Sequence, residues 1–305
     1  MECPVCKSKR LSLVYKRPFV ETRTKQSIAE CENCRLGISL PRLSQRALNS
    51  LYDAEYPPVI AKIRPSKLSD ESLIQKLYRK FVESVIASYL ALPPASIWRK
   101  IFTMDFMSLF PVKCLSPELS REDEILDFGA GSWWMVKLLR KHGYKAYGYD
   151  VFDECRQQDW FHDIKNSDKK FDEIRAFHVL EHMQEPLETL KFLKSKLKPG
   201  GRLVIGVPNF TSPLHRIGPN GGHFHLPYHR VHFSEESLEI ACKKIGFELD
   251  SIISRSTETG YVSCLLNNRV SANNPAEKFW LKFGSTVLDA MRKGDAYELY
   301  ARNII

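Results

Sequence analysis

The chain has 305 residues, enough for one full core and a small accessory module, with hydrophobic (43%) and charged (27%) fractions ordinary for a soluble protein. No apolar run approaches the roughly 20 residues that span a bilayer, and Met1-Glu2-Cys3-Pro4 opens no signal peptide, so the expectation is a cytoplasmic protein without a membrane partner. The formal charge is +9, with ten Lys/Arg against four Asp/Glu in residues 1–50, yet no block of five or six like charges occurs. A solvated basic face is the first reading of that charge, an anionic ligand the second and nucleic acid the third.

At the amino terminus, Cys3-x-x-Cys6 and Cys31-x-x-Cys34 form two knuckles. Each can present two thiolates from one turn, and together they complete a closed tetrahedral shell for a structural Zn²⁺. Two disulfides are the competing reading, disfavoured in an intracellular chain. Strand-like runs at Leu11–Tyr15 and Gln26–Glu30 flank a polar bend at Glu21–Lys25, which is a zinc-ribbon layout. Lys7 and Arg35 stand where a glycine usually follows the second cysteine. With four thiolates and a divalent ion, the segment's excess of six positive charges falls to about four. Cys114, Cys155, Cys242 and Cys264 are scattered and read as small buried hydrophobes.

Pro57, Pro58 and Pro65 mark a linker. The apolar spacing of Leu73, Ile74, Leu77, Phe81, Val85, Ile86, Tyr89 and Leu90 predicts a helix ended by Pro93-Pro94, and Ile97–Phe110 predicts another. The organisation expected is therefore residues 1–45 as ribbon, 46–120 as a helical linker or lid, and 121–305 as the main domain.

In that domain Glu124-Ile-Leu-Asp-Phe128 reads as a buried parallel strand breaking into Gly129-Ala130-Gly131, with helical spacing resuming through Met135, Val136, Leu138 and Leu139. A second strand, Lys145–Tyr149, ends in Asp150. Strand, glycine turn, helix, strand and acid in this order describe a nucleoside pocket: backbone close to the ligand at the turn and a carboxylate for ribose hydroxyls. Two features argue against a bound pyrophosphate. Asp127 puts negative charge at the loop, and Trp133 occupies the third glycine position.

Asp127-x-Gly129-x-Gly131 resembles motif I of the class I S-adenosylmethionine (SAM)-dependent methyltransferases, whose cationic cofactor tolerates a nearby carboxylate. Three later segments are similar to that family in the same order: Phe171–His182 with its His-Val-Leu-Glu-His run, Lys198–Asn209, and Pro227–Ser234 leading to Gly246-Phe247. The opening Leu36–Arg42 and Leu51–Tyr56 resemble a branch associated with sugar or natural-product methylation. The resemblance implies an α/β fold: a Rossmann-like seven-stranded sheet of order 3-2-1-4-5-7-6, last strand antiparallel, carrying the ribbon and helical linker. It places a stunted third strand near Trp160–Ile164, the sixth at Phe247–Ser254, a helical insertion at 264–292 and the seventh strand at Ala296–Asn303. The cofactor residues implied are Asp127, Gly129, Ala130, Gly131, Asp150, Val151, Asp163, His178 and, from the lid, Tyr56; Tyr52 and Tyr56 read equally well as packing aromatics.

Methyl transfer to a hydroxyl, amine or acidic carbon needs a base, and five of nine histidines fall within 215–232. His225 and His229 are the first candidates for that base, with His182 beside them; His215, His223 and His232 complete the group. His178-x-x-Glu181-His182 also spells an inverted zinc-peptidase helix, but a strand runs directly into it. In some relatives this segment and a later histidine hold a second divalent cation. The function expected is methyl transfer to a small-molecule acceptor, a sugar, sugar nucleotide or related biosynthetic intermediate that could be anionic. The competing readings are an RNA or protein methyltransferase gripping its polymer with the ribbon, and an inactive binding module blocked by Trp133.

Overall fold

The computed structural model describes residues 1–15, 26–44, 46–48, 50, 73–102, 116–131, 133–151, 162–213, 224–255 and 291–304. Tyr52, Tyr56, the proline linker, His215, His223 and nearly all of the 264–292 insertion lie outside the described residues.

The ribbon consists of β1 (Leu11–Tyr15), β2 (Ser27–Cys31) and β3 (Gly37–Leu40), paired antiparallel in that order. Its sheet does not stop there. β8 (Val231–His232), from the far side of the chain, adds as a fourth antiparallel strand against β3. Gly37 allows this approach, since a Cβ there would lie 2.8 Å from the Phe210 ring and 3.0 Å from His232 Cβ. Ribbon and main domain thus share a single core in which Cys3, Val5, Leu36 and Ile38 pack with Leu126, Leu180, Phe233 and Leu238.

The main sheet joins β4 (Glu124–Phe128), β5 (Lys145–Tyr149), β6 (Phe171–Phe177), β7 (Leu197–Pro208), β9 (Phe247–Arg255) and β10 (Ala296–Asn303). Their order is β5-β4-β6-β7-β10-β9, parallel from β5 to β7, with β10 antiparallel to both neighbours. This is the expected order from its second member onward. The short edge strand expected near Trp160–Ile164 begins outside the described residues; at its described end His162 N–H donates to Gly148 O on β5 at 2.8 Å, and Asp163 caps a 3-10 turn opening at Ile164. Six strands form the sheet among the described residues.

Helices cover both faces. α1 (Leu73–Ala91) and α3 (Trp134–Lys141) bury Ile86, Tyr89, Val136 and Leu139 against Ile125 and Ala146. α2 (Ile97–Phe102) is tied down by Arg99, whose buried guanidinium donates to the carbonyls of Leu119 and Leu90 and to the Tyr144 hydroxyl. On the other face lie α4 (Pro186–Ser195) and α5 (Glu235–Ile245). No helix among the described residues is long and apolar enough to cross a membrane.

Candidate functional site

The glycine loop leaves β4 at the carboxyl edge of the sheet, where open α/β folds bind ligands. Gly129 has φ +80°, and a methyl group on it would stand 2.3 Å from Val179 Cγ2, so the loop is pressed against the segment that follows β6. The N–H groups of Gly129 and Ala130 donate to Tyr149 O at 2.7 and 3.1 Å, and Gly131 N–H donates to Asp150 Oδ2 at 2.8 Å. Motif I and the acid after β5 are therefore one unit, as the spacing predicts. Asp127 lies buried at the end of β4, opposite Arg175 in register on β6. Burial raises the Asp127 carboxyl above its usual range, with the Arg175 charge working against that. Val151 is exposed beside the loop. The Asp163 carboxylate accepts from Lys165 N–H and the Asn166 side-chain amide.

Trp133 is settled by its surroundings. It heads α3 at φ 60°, ψ 9°, a left-handed backbone unusual for so bulky a residue. Its indole is 5% exposed and lies over Gly148, where a Cβ would meet the ring at 2.2 Å. The ring belongs to the core beneath α3. The loop, with a conformation and close packing suited to glycine, thus fits the methionine and ribose part of SAM.

Beside the loop, the chain leaves β6 through His178 (φ 54°) into a 3-10 turn, Leu180–His182. His178 is bound at both ends: its N–H donates to Gly206 O at 2.9 Å, and its Nδ1 lies 3.1 Å from Glu181 Oε1. Its ring is 58% exposed while Glu181 is 1% exposed. Burial of the surroundings disfavours imidazolium here, but the hydrogen bond and charge of Glu181 outweigh it and His178 titrates above the ordinary histidine range. His229 stands 4.0 Å from Glu181 Oε1 through Nε2, with the rings of His182 and His225 at 4.8 and 5.1 Å. Burial, then the neighbouring histidines, depress His229 well below the usual range, so it is neutral at pH 7. Burial also lowers His182, whose Nδ1 meets Tyr228 O at 3.2 Å; Nδ1 carries the proton there, and Nε2 is the acceptor nitrogen of the ring. His225 is exposed at the rim, again with positive φ (38°).

His178 and His229 thus meet one carboxylate, Glu181, with His182 in the same cluster, while His225 and His232 pack on His229. The i,i+3 spacing of Glu181 from His178 is the signal available in sequence, and the left-handed backbone at His178 leading into the 3-10 turn brings the two side chains into contact. Glu181 Oε2 and His229 Nδ1 are buried without hydrogen-bond partners. Glu181, His182 and His229 offer ligand atoms within 4.8 Å of one another, a donor set of two imidazoles and a carboxylate that suits a divalent cation.

The ribbon cysteines form the second constellation. Cys3 and Cys34 sulfurs are 3.5 Å apart and those of Cys6 and Cys31 3.4 Å, close to the roughly 3.8 Å edge of a tetrahedron with Zn–S bonds of about 2.3 Å. Each knuckle closes by a hydrogen bond, Lys7 N–H to Cys3 O and Arg35 N–H to Cys31 O, with Lys7 and Arg35 at positive φ. The two residues take the left-handed conformation that glycine would otherwise supply. A hydrogen bond from Cys34 brings the Cys3 thiol down to about 5, a thiolate ready for metal. These residues fit structural zinc.

Sheet order, motif I and the acid after β5 define a class I SAM-dependent methyltransferase fold. A family model described as a methyltransferase domain matches residues 106–252, and this part of the chain is similar to that family. The tRNA U34 carboxymethyltransferase of Campylobacter fetus subsp. fetus (strain 82-40) is 28% identical over 134 residues, 35% of this chain and 48% of its own. The chain spans about half the length of that curated relative. Among solved structures, a Burkholderia thailandensis 1,6-didemethyltoxoflavin-N1-methyltransferase is similar at 12% identity and TM-score 0.46, covering 96% of this chain and 100% of its own. A SAM-dependent methyltransferase from Archaeoglobus fulgidus is similar at 22% identity and TM-score 0.40, covering 58% and 85%. The ranking of nucleic acid as the last partner class finds no support, since a relative named for tRNA is among the matches.

Proposed function

We propose that this protein transfers a methyl group from SAM to a small-molecule acceptor, a sugar, sugar nucleotide or related intermediate, and that the His178–Glu181 pair takes the acceptor's proton. The observation that carries this is the seating of Gly129 on Val179, which puts the cofactor loop one residue from His178. SAM supplies the electrophilic methyl. The protein's own work is to hold the cofactor through the loop and Asp150, to aim the acceptor along the methyl–sulfur axis, and to receive a proton at the exposed nitrogen of His178. Glu181 orients that ring through Nδ1 and stabilises its charged form. His225 at the rim and neutral His229 and His182 behind it shape the acceptor side. If Glu181, His182 and His229 hold a divalent cation, it would polarise an acceptor oxygen from the same position.

A second reading, transfer to RNA, is favoured by the relative named for tRNA U34 and by the basic amino-terminal segment. Calorimetry with SAM comes first: saturable binding is expected, and absence of heat at millimolar SAM would end both readings. Labelled methyl transfer to a panel of sugar nucleotides and to bulk tRNA then separates them. Incorporation into tRNA, weakened steeply by added salt, would replace the small-molecule reading.

A further inference from the structure

The histidine site is not held by the main domain alone. Ser39, on the ribbon's β3, is 5% exposed and faces the segment that carries His229. Its hydroxyl donates to His229 O at 2.7 Å and lies 2.9 Å from His232 Nε2. A serine hydroxyl has one proton, and the carbonyl takes it; the His232 ring must then donate, which fixes His232 as the Nε2–H tautomer. The backbone continues the link: Ser39 N–H donates to Arg230 O at 3.1 Å, and Arg230 N–H donates to Glu181 O at 2.7 Å. The Arg230 guanidinium adds bonds to Leu43 O and Gln184 Oε1. On the zinc side, Ser234 Oγ donates to the carbonyl of Cys34, itself a ribbon ligand, at 2.9 Å, and Lys244 Nζ donates to Val5 O.

From these contacts we propose that the ribbon is a positioning part of the histidine site: Ser39 holds His229 and His232 in register with Glu181, and the zinc-bound knuckles hold Ser39. Acting through His229 and Glu181, Ser39 is a positioning residue. The proposal rests on the reading of this cluster as the acceptor site, but its geometry can be tested without turnover. It gives the ribbon a role inside the molecule, distinct from gripping a polymer.

The test uses the full zinc-loaded chain with Ser39→Ala and Ser39→Thr, followed by histidine ring ¹⁵N spectra, zinc content and SAM calorimetry. Ser39→Ala is expected to keep its zinc and its SAM affinity within about twofold, because Ser39 does not touch the Gly129–Asp150 loop. It should lose the pure Nε2–H signature of His232 and shift His229, with a fall in kcat of roughly tenfold to a hundredfold and little change in KM for SAM. Ser39→Thr, which retains the hydroxyl, should restore each. Chelation of zinc from the wild-type chain should move the same two histidines. Spectra of Ser39→Ala or of the chelated protein that superimpose on the wild type would overturn the proposal, as would failure of Ser39→Thr to restore the His232 signature. Should Ser39→Ala not fold, Gly37→Ala disturbs the same β3–β8 junction and must move the same signals. A wild type that does not bind SAM would defeat the proposed function and leave the spectral result to decide this one.

Discussion

Trp133 shows how one side chain can be read in two opposite ways. As the residue at the third glycine position it could fill a cofactor pocket; in the structure it is a core residue whose ring uses the space that Gly148 leaves open. Its left-handed backbone turns the indole under α3, and the burial of so large a ring supports that conformation. Trp133→Ala should therefore destabilise the protein by about 3–5 kcal/mol without improving SAM affinity, measured by denaturant titration alongside calorimetry. A tighter-binding variant of normal stability would mean that the ring obstructs the pocket after all. Glu181 is the opposite case, a residue plain in sequence whose weight appears only when its partners are seen. Its side chain meets His178 and His229 from a fully buried position. Glu181→Gln keeps the shape and removes the charge, so methyl transfer should fall roughly a hundredfold or more while SAM binding holds. An unaffected rate would shift the base to His225.

At the level of elements, local patterns were legible and distant pairings were not. The β4–loop–α3–β5 unit could be read because its signals lie within 27 residues of one another: an apolar run, glycines, helical spacing and an acid. The cysteine pairs were readable because ligand spacing is itself local. By contrast, β8 is only two residues long and its partner, β3, lies some 190 residues earlier in the chain. No periodicity can announce so short a strand, and only Gly37, a glycine inside a strand, hinted at a close backbone approach. The proline linker and nearly all of the helical insertion expected at 264–292 lie outside the described residues. Because β3 shares its sheet and core with the main domain, the ribbon should not melt as a separate unit. Cys34→Ser removes one zinc ligand and should lower the cooperative unfolding temperature of the whole chain, with loss of bound zinc. A calorimetric trace in which an early ribbon transition leaves the main transition unmoved would contradict the shared core.

Over the whole molecule the charges are sorted by sheet edge. The candidate site occupies the carboxyl ends of the parallel strands, whereas the amino ends carry a belt of ion pairs. Lys169 pairs with Glu124 at 2.7 Å, Lys198 with Asp172 at 2.8 Å, and Arg202 with Glu173 and Asp123. The Glu124 carboxyl is held below its ordinary range first by its hydrogen bond from Lys169. For Asp172, burial pushes upward, but Lys198 and the Glu124 N–H prevail and the net shift is also downward. Carboxyls with depressed folded values stabilise the fold above their unfolded values, near pH 4, and that contribution disappears as the pH falls through the folded ones. Buried Glu173 shifts the other way, so the total acid response understates the belt. Lys198→Met isolates it. The lysine is 40% exposed, which limits its contribution to about 0–1 kcal/mol, or a difference of roughly 1–3 °C in Tm at pH 7. That difference should persist down to about pH 5 and close as the medium is taken below pH 4. Melting curves of the two proteins across pH 3–7 measure it directly: a gap that reversed in acid, with the Met variant melting above the wild type, would show that Lys198 costs stability there through repulsion in a chain of net charge +9.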